Sequence, residues 1–382
     1  MDFSFSDEQQ MLQESVQKFV HRHYAFDARR AILGSAAGYS AEHWALFAEL
    51  GWLTVPFSEA DGGFGGLATD LMVLMEEFGK ALVVEPFVAG VVLGGGLVSA
   101  LGSPVQKEQL LPEVMAGSLQ LACALYEEQG RYNLASVATT AQVSGSHFLV
   151  NGTKVLVLNA PVADTLLVSV RTAGSERDVE GISVVMIASN TPGIVRRDFT
   201  TVDGHRAAQI RFDNVQVPAS ALLGQLGAAL PALQQSIDRA TLCVCAEAVG
   251  ALDRLLHKTV EYSKTRQQFG APIGSFQALQ HRMADMFIEC ELARSIVMMA
   301  AMTLDADVSD AQKQRAVSAA KSRVGKAART VGQEAVQLHG GIGMTDELDV
   351  SHYFKRVTAI DAMFGNADFH TARFARLQGS LE

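Results

Sequence analysis

The hydrophobic period of this chain changes twice along its length, from helical to alternating and back to helical. No single layer of structure accommodates both periods. About the first 115 residues follow the helical repeat. Ser6-Asp-Glu-Gln9 has the spacing of a capping box, and Leu12, Val16, Phe19 and Val20 then share one face. Trp44, Leu46, Phe47 and Leu50 repeat the pattern, and the loop Asp61-Gly-Gly-Phe-Gly-Gly66 precedes a helix expected over Ala68–Ala81. From Ala122 to Pro218 the chain turns to short β-rich runs: Ser136–Val143, Phe148–Val150, Thr165–Arg171, Ile182–Ile187 and Gln209–Phe212. Ser144-Gly-Ser146, Asn151-Gly152 and Thr191-Pro-Gly193 supply turn chemistry between them, which predicts a sandwich or small barrel. Beyond Ala229, helices are expected over Leu233–Thr265, Gly274–Leu304, Ser309–Leu338, Asp346–Arg356 and Ala367–Leu377. Helices this long with short connections predict a bundle. The expected fold is α+β and mainly α. It has an N-terminal helical domain over 1–120, a middle β domain over 121–224 and a C-terminal four-helix bundle over 225–382.

Length agrees with that division, because 382 residues exceed what one hydrophobic core ordinarily supports. The net charge of −10 and the lack of a basic run argue against a nucleic-acid partner. The opening Met1-Asp-Phe-Ser-Phe-Ser-Asp-Glu8 lacks the character of a signal peptide. Pro86–Leu101, the most apolar stretch, is too short and glycine-rich to span a bilayer and reads as a buried helix. Cys243 and Cys245 are two apart in a helical pattern, so they face different ways and do not form half of a zinc site. With Cys123 and Cys290 they read as free thiols of a reducing, cytoplasmic protein, and no metal is expected.

Chemistry enters with Arg266-Gln-Gln-Phe-Gly270, then Gln277, and later Gln337-Leu-His-Gly-Gly-Ile-Gly343. An arginine clamps phosphate bidentately, and paired glycines let a backbone approach a large planar ligand. Singly, Arg266 also reads as a solvated helix-terminal charge, and Gly340-Gly341 as a helix stop. In this order, with Pro272, Ser275-Phe-Gln277 and Tyr353-Phe-Lys-Arg356, the elements resemble the acyl-CoA dehydrogenase family of flavoenzymes. The resemblance implies FAD held across a subunit boundary. Arg266, Phe269 and Gln277 match the family's helix-end motif, and Gln337, Leu338, His339, Gly340 and Gly341 match its flavin loop. His339 is expected near the flavin phosphates, Asn366 in the place of a threonine, and Asp368 on the flavin side. His352 and His370 are expected at the surface or an interface. Two segments depart from the family pattern. Tyr126-Glu-Glu-Gln-Gly-Arg-Tyr-Asn133 stands where relatives carry Thr-Glu-Pro and Gly-Ser-Asp, and Leu156-Val-Leu158 stands where they carry Trp-Ile-Thr.

The implied reaction removes two hydrogens beside an acyl-CoA thioester. It needs a carboxylate base, donors to the thioester oxygen, and the flavin as hydride acceptor. Phe364 occupies the family's usual base position, although its backbone N–H remains a donor to the thioester. A second position used by some relatives falls on Ala240, beside Thr241. A two-residue slip would bring Asp238 and Arg239 into play. Glu247, one heptad beyond Ala240 in an apolar helix, is the leading candidate for the base, since desolvation raises a carboxylate pKa. The other reading is a buried ion pair with an arginine of a neighbouring helix. Asp361 is a lesser candidate. Met1-Asp-Phe3, Leu93-Gly-Gly-Gly-Leu97, Cys245–Gly250 and Phe364-Gly365 narrow the resemblance to a small-subunit type. That type pairs with a large subunit and acts on acyl-CoA thioesters, with dicarboxylyl-CoA such as pimeloyl-CoA one option, passing electrons to an electron-transfer flavoprotein. A homo-oligomeric enzyme, an acyl-CoA oxidase, and a non-catalytic subunit completing a sister chain's flavin site remain open.

Overall fold

A computed structural model of the chain describes residues 4–378. The Met1–Phe3 segment that contributed to the resemblance lies outside the described residues. The chain divides into two compact units. The first comprises the chain up to Ala31, Leu67–Val83 and the chain from Thr241; the second comprises Ile32–Gly66 and Val84–Ala240.

The first unit is helical. Its opening helix, Asp7–His23, starts at the expected capping box: Ser6 Oγ accepts the Gln9 N–H and Gln9 Oε1 accepts the Ser6 N–H. The same reciprocal pair, Ser309 and Gln312, starts the helix Asp310–His339. That helix buries Ala316, Ala320, Val324, Ala327, Val331, Ala335 and Leu338. It packs against Gln277–Asp305, Asp349–Ala362 and Ala367–Gln378, the arrangement of a bundle. The helix expected to stop at Arg356 continues to Ala362, because Val357 and Ile360 extend its buried face. The helix expected from Leu233 begins at Leu230, where Pro231 in the first turn sacrifices no intrahelical bond. Between Thr241 and Leu256 this helix, Leu230–Thr265, is buried nearly all round. It crosses Ala68–Ala81 at backbone contact. A Cβ on Gly79 would collide with the Glu247 carbonyl, and one on Gly250 with the Glu76 carbonyl.

The second unit carries a mixed eight-stranded sheet. Its order is Ile194–Thr200, Arg206–Pro218, His147–Leu158, Thr140–Ser144, Thr165–Arg171, Ile182–Ala188 and Leu222–Leu223. Leu121–Ala124 runs parallel beside Thr165–Val168. Phe148, Val150, Val157, Leu166, Val168, Val185, Ile210 and Phe212 belong to its core. Ser144-Gly-Ser146 is the expected hairpin turn, with Ser144 paired to His147. Asn151-Gly152, in contrast, is no turn. It lies inside the long strand His147–Leu158 at a register shift, with Gly152 at φ 149°, where a Cβ would collide with Thr139. Ser136–Thr139 stays outside the sheet: buried Glu127 takes the N–H groups of Ala138 and Thr139 instead. Phe87–Gly95 is mostly buried, as expected, but winds as a π-helix before a short α-helix, Gly96–Leu101. Among the described residues no helix is long and apolar enough to cross a membrane.

The glycine crossing is directly testable. Gly79→Ala and Gly250→Ala should each destabilise the protein by about 1–3 kcal/mol, the range for overpacked helix contacts. Chemical denaturation measures this, and a midpoint equal to wild type would show that the helices are not in backbone contact.

Candidate active site

Apart from Asn366 and Asp368, the expected cofactor residues lie at two helix ends that one aromatic contact brings together. At the end of Leu230–Thr265, the Tyr262 ring stacks on His339 at 4.4 Å, and its hydroxyl donates to the His339 carbonyl at 3.4 Å. After Tyr262 the chain forms a small antiparallel ribbon, Gln267-Gln268 against Ala271-Pro272. Phe269 and Gly270 form its tip, at φ 55° and 79°. Two consecutive left-handed residues are what a tight hairpin turn requires. Phe269 is 92% exposed and meets Phe276 edge-on at 6.1 Å. Gln277, the first residue of its helix, is exposed. So is Arg266, which makes no ion pair or side-chain hydrogen bond among the described residues.

Helix Asp310–His339 ends at Gly340, whose φ of 66° reverses the chain into the short turn Gly340–Met344. Gln337, Gly340 and Gly341 face outward, and nothing lies within 4 Å of where a Cβ on either glycine would stand. Leu338 and His339 do not join this face. Leu338 is buried, and His339 turns inward, with Nδ1 at 2.7 Å from the Ala335 carbonyl; burial lowers its pKa. His339, expected to pack or hydrogen-bond near the flavin phosphates, packs on the Tyr262 ring. Asn366 caps the last helix by accepting the Phe369 N–H at 3.0 Å, and Asp368 is exposed in the first turn. His352 is half-buried, beside Arg29 and edge-on to Phe26. His370, expected at the surface or an interface, is buried within the helical unit.

The carboxylate expected to act as base is already engaged. Arg356 donates from Nε to Glu247 Oε1 at 2.5 Å and from Nη2 to Oε2 at 2.7 Å, a two-pronged pair buried at both ends. This corrects the reading of Glu247 as a lone desolvated carboxylate. It is the ion pair with a neighbouring helix that the sequence left as the other possibility. Asp361 Oδ1 accepts the Ala367 N–H at 3.2 Å, so this carboxylate caps the last helix. Ala240 and Thr241 are buried, and Arg239 donates to the Gly66 carbonyl. Phe364 and Gly365 are buried at φ 57° and 115°, and no side chain of Met363–Asn366 can accept a proton.

In the second unit, Lys154 Nζ and Glu127 Oε1 meet at 2.7 Å, with Lys154 also donating to Ser169 Oγ at 2.9 Å. The lysine charge, with hydrogen bonds from Thr139 and Ala138, outweighs burial and holds the Glu127 pKa at about 2. Burial brings Lys154 down to about 8 despite its partner. Two residues on, the ladder shifts register, and Leu156 stands out at φ 50° with 42% of its surface exposed. Its neighbour Val157 is buried.

Comparison with known proteins decides the family. Models of the N-terminal, middle and C-terminal domains of acyl-CoA dehydrogenase match residues 6–118, 122–215 and 230–378. The chain belongs to the acyl-CoA dehydrogenase family. Acyl-CoA dehydrogenase FadE12 of Mycobacterium tuberculosis is 31% identical over 361 residues, 92% of this chain and 91% of that one. The FAD complex of PigA superposes with a TM-score of 0.91 at 27% identity, with full coverage of both chains. The ChsE4-ChsE5 complex of Mycobacterium tuberculosis gives 0.89 at 26% identity, covering 99% of each chain.

Within this family member, sequence reasoning missed Tyr262, Lys321 and His370. A tyrosine near a helix end carries no motif, and a lysine in a helix ordinarily reads as solvated. Lys321 Nζ in fact donates to the carbonyls of Asp361 at 2.8 Å and Gly365 at 2.6 Å, and is buried. His370 Nε2 lies 3.1 Å from the Phe364 carbonyl.

Two outcomes follow from these pairs. Glu247→Gln should lower stability by about 3–5 kcal/mol, because it strands the buried Arg356 charge. A denaturation midpoint equal to wild type would break this account of Glu247. For Glu127, the folded pKa lies below the ordinary 4.5, so its stabilisation is complete above that value and is lost as pH falls toward 2. Wild type should therefore lose on the order of 3 kcal/mol between pH 5 and 2 that Glu127→Gln never had, as acid titrations of the two would register.

Proposed function

We propose that this chain is a working subunit of an FAD-dependent acyl-CoA dehydrogenase, removing one hydrogen from each of the α and β carbons of an acyl-CoA thioester. The observation that carries the reading is the outward face of Arg266, Phe269, Gln277, Gln337, Gly340 and Gly341. An unpaired guanidinium, a bare aromatic ring and open glycine backbone suit the pyrophosphate and flat rings of FAD. A phenylalanine 92% exposed at a left-handed φ gains by being covered, which favours a flavin seated in a neighbouring chain. When bound, FAD supplies the hydride acceptor. The Phe364 turn contributes backbone N–H groups toward the thioester oxygen. Asp368 stays free on the exposed turn beside Asn366. The substrate is a dicarboxylyl-CoA such as pimeloyl-CoA, and the electron acceptor is an electron-transfer flavoprotein. The four cysteines are free thiols, which suits a reducing cytoplasm.

A second reading, a non-catalytic chain that completes the flavin site of a large sister subunit, is favoured by one specific observation. Both oxygens of Glu247 are held by Arg356, and Met363–Asn366 offers no carboxylate. The visible spectrum separates the two. The working subunit purifies yellow and is bleached by an acyl-CoA. A colourless chain that becomes yellow only with a sister subunit transfers the role to the scaffold. In either case Arg266→Ala should weaken FAD retention by about ten- to a hundredfold, the loss of one charge-assisted contact. Retention equal to wild type would remove Arg266 from the cofactor site.

A further inference from the structure

Lys321 is a cation in the core with no carboxylate within ion-pairing distance among the described residues. A buried charge left without a counter-ion is costly unless its hydrogens are all used. Here two of them go to backbone carbonyls of one short segment, Asp361 and Gly365. A second buried side chain holds the same segment: His370 Nε2 lies 3.1 Å from the Phe364 carbonyl, with Nδ1 3.4 Å from Ser318 Oγ. The contact to a carbonyl requires the proton on Nε2. Burial and the nearby Lys321 charge push the His370 pKa down to about 3, so the ring stays neutral at physiological pH. The segment these two residues hold contains the two consecutive left-handed residues Phe364 and Gly365. Gly365 is also required sterically, since a Cβ there would meet His370 Nε2 at 2.7 Å.

The peptide group is planar and trans, so an N–H points opposite to the carbonyl across the same bond. With the Phe364 carbonyl turned to His370, the Gly365 N–H faces the other way. With the Gly365 carbonyl turned to Lys321, the Asn366 N–H does likewise. Neither N–H has an acceptor among the described residues, although Gly365 is buried. A buried donor without an acceptor is uncommon in a folded chain and is explained by a ligand that accepts from it.

We propose that Lys321 and His370 are positioning residues. From the core they fix the Phe364–Asn366 turn by its carbonyls, so that its amide hydrogens are aimed at the oxygen of a bound acyl-CoA thioester. The proposal rests on the reading that this chain itself takes such a thioester. The two side chains touch neither substrate nor cofactor. They hold the donors pre-aimed, which is where electrostatic stabilisation of a developing enolate oxygen comes from. Lysine and histidine suit this better than carboxylates, because only donors can hold carbonyls inward.

Isotope-edited infrared spectroscopy of an acyl-CoA labelled at the thioester carbonyl, bound to the FAD-loaded oligomer, tests the proposal without requiring turnover. Wild type should shift the carbonyl band to lower frequency. His370→Asn and Lys321→Met should each return most of that shift toward the free-solution value. Binding should weaken far less than the roughly hundredfold loss of turnover expected for a missing oxyanion donor. Lys321→Arg, which retains donors, should restore part of the shift. Lys321→Met risks the fold, so His370→Asn alone decides the matter if the former does not purify. Folded variants with the full wild-type shift overturn the positioning role and leave the proposed function standing. Wild type that binds no acyl-CoA overturns both.

Discussion

The helical unit depends on one contact between helices that sidelong packing alone would not allow. Gly79 and Gly250 let Ala68–Ala81 and Leu230–Thr265 approach until backbone meets backbone. Thr241–Leu252 is buried on every side, and Glu247 lies within it. A carboxylate there must be paired, and Arg356, 109 residues later, supplies both donors. The ion pair thus ties Leu230–Thr265 to Asp349–Ala362, the helix that delivers Met363–Asn366. Close helix approach, a compelled ion pair and the placing of the Phe364 turn are successive consequences of two missing side chains.

Several buried charges inside the two units are held by multiple hydrogen bonds. Glu127 and Lys154 satisfy each other together with Ser169 and two backbone N–H groups. Arg171 spends its guanidinium on the carbonyls of Ala135, Glu176, Asp178 and Glu180. Lys321 does the same with two carbonyls. Arg266 is exposed and makes no ion pair or side-chain hydrogen bond among the described residues, and Phe269 near it is 92% exposed.

Much of the architecture was legible because it depends on local rules. The capping boxes at Ser6 and Ser309, the periodicity of the long helices and the Ser144-Gly-Ser146 turn each involve residues close in sequence. Asn151-Gly152 misled, because the dipeptide that makes a turn also makes a bulge, and only the partner strand decides between them. The site was less legible, for a single reason: which side chain faces which is fixed by contacts far apart in sequence. Glu247 in an apolar helix was visible, but not the arginine across from it. His339 sits in its motif without showing its neighbours, which are the Ala335 carbonyl and the Tyr262 ring. His370 reads as a surface or interface residue, because its contacts with Phe364, Gly365 and Ser318 join residues up to 52 apart in sequence.

In the function proposed, late-chain residues of one subunit grasp a cofactor seated in another. An experimental structure of the assembled, FAD-loaded oligomer is the most direct measurement. It should place the Arg266 guanidinium within hydrogen-bonding distance of the pyrophosphate of a flavin whose ring system rests in a different chain. A flavin contacted by one chain alone, with Arg266 and Phe269 still facing water, would contradict it.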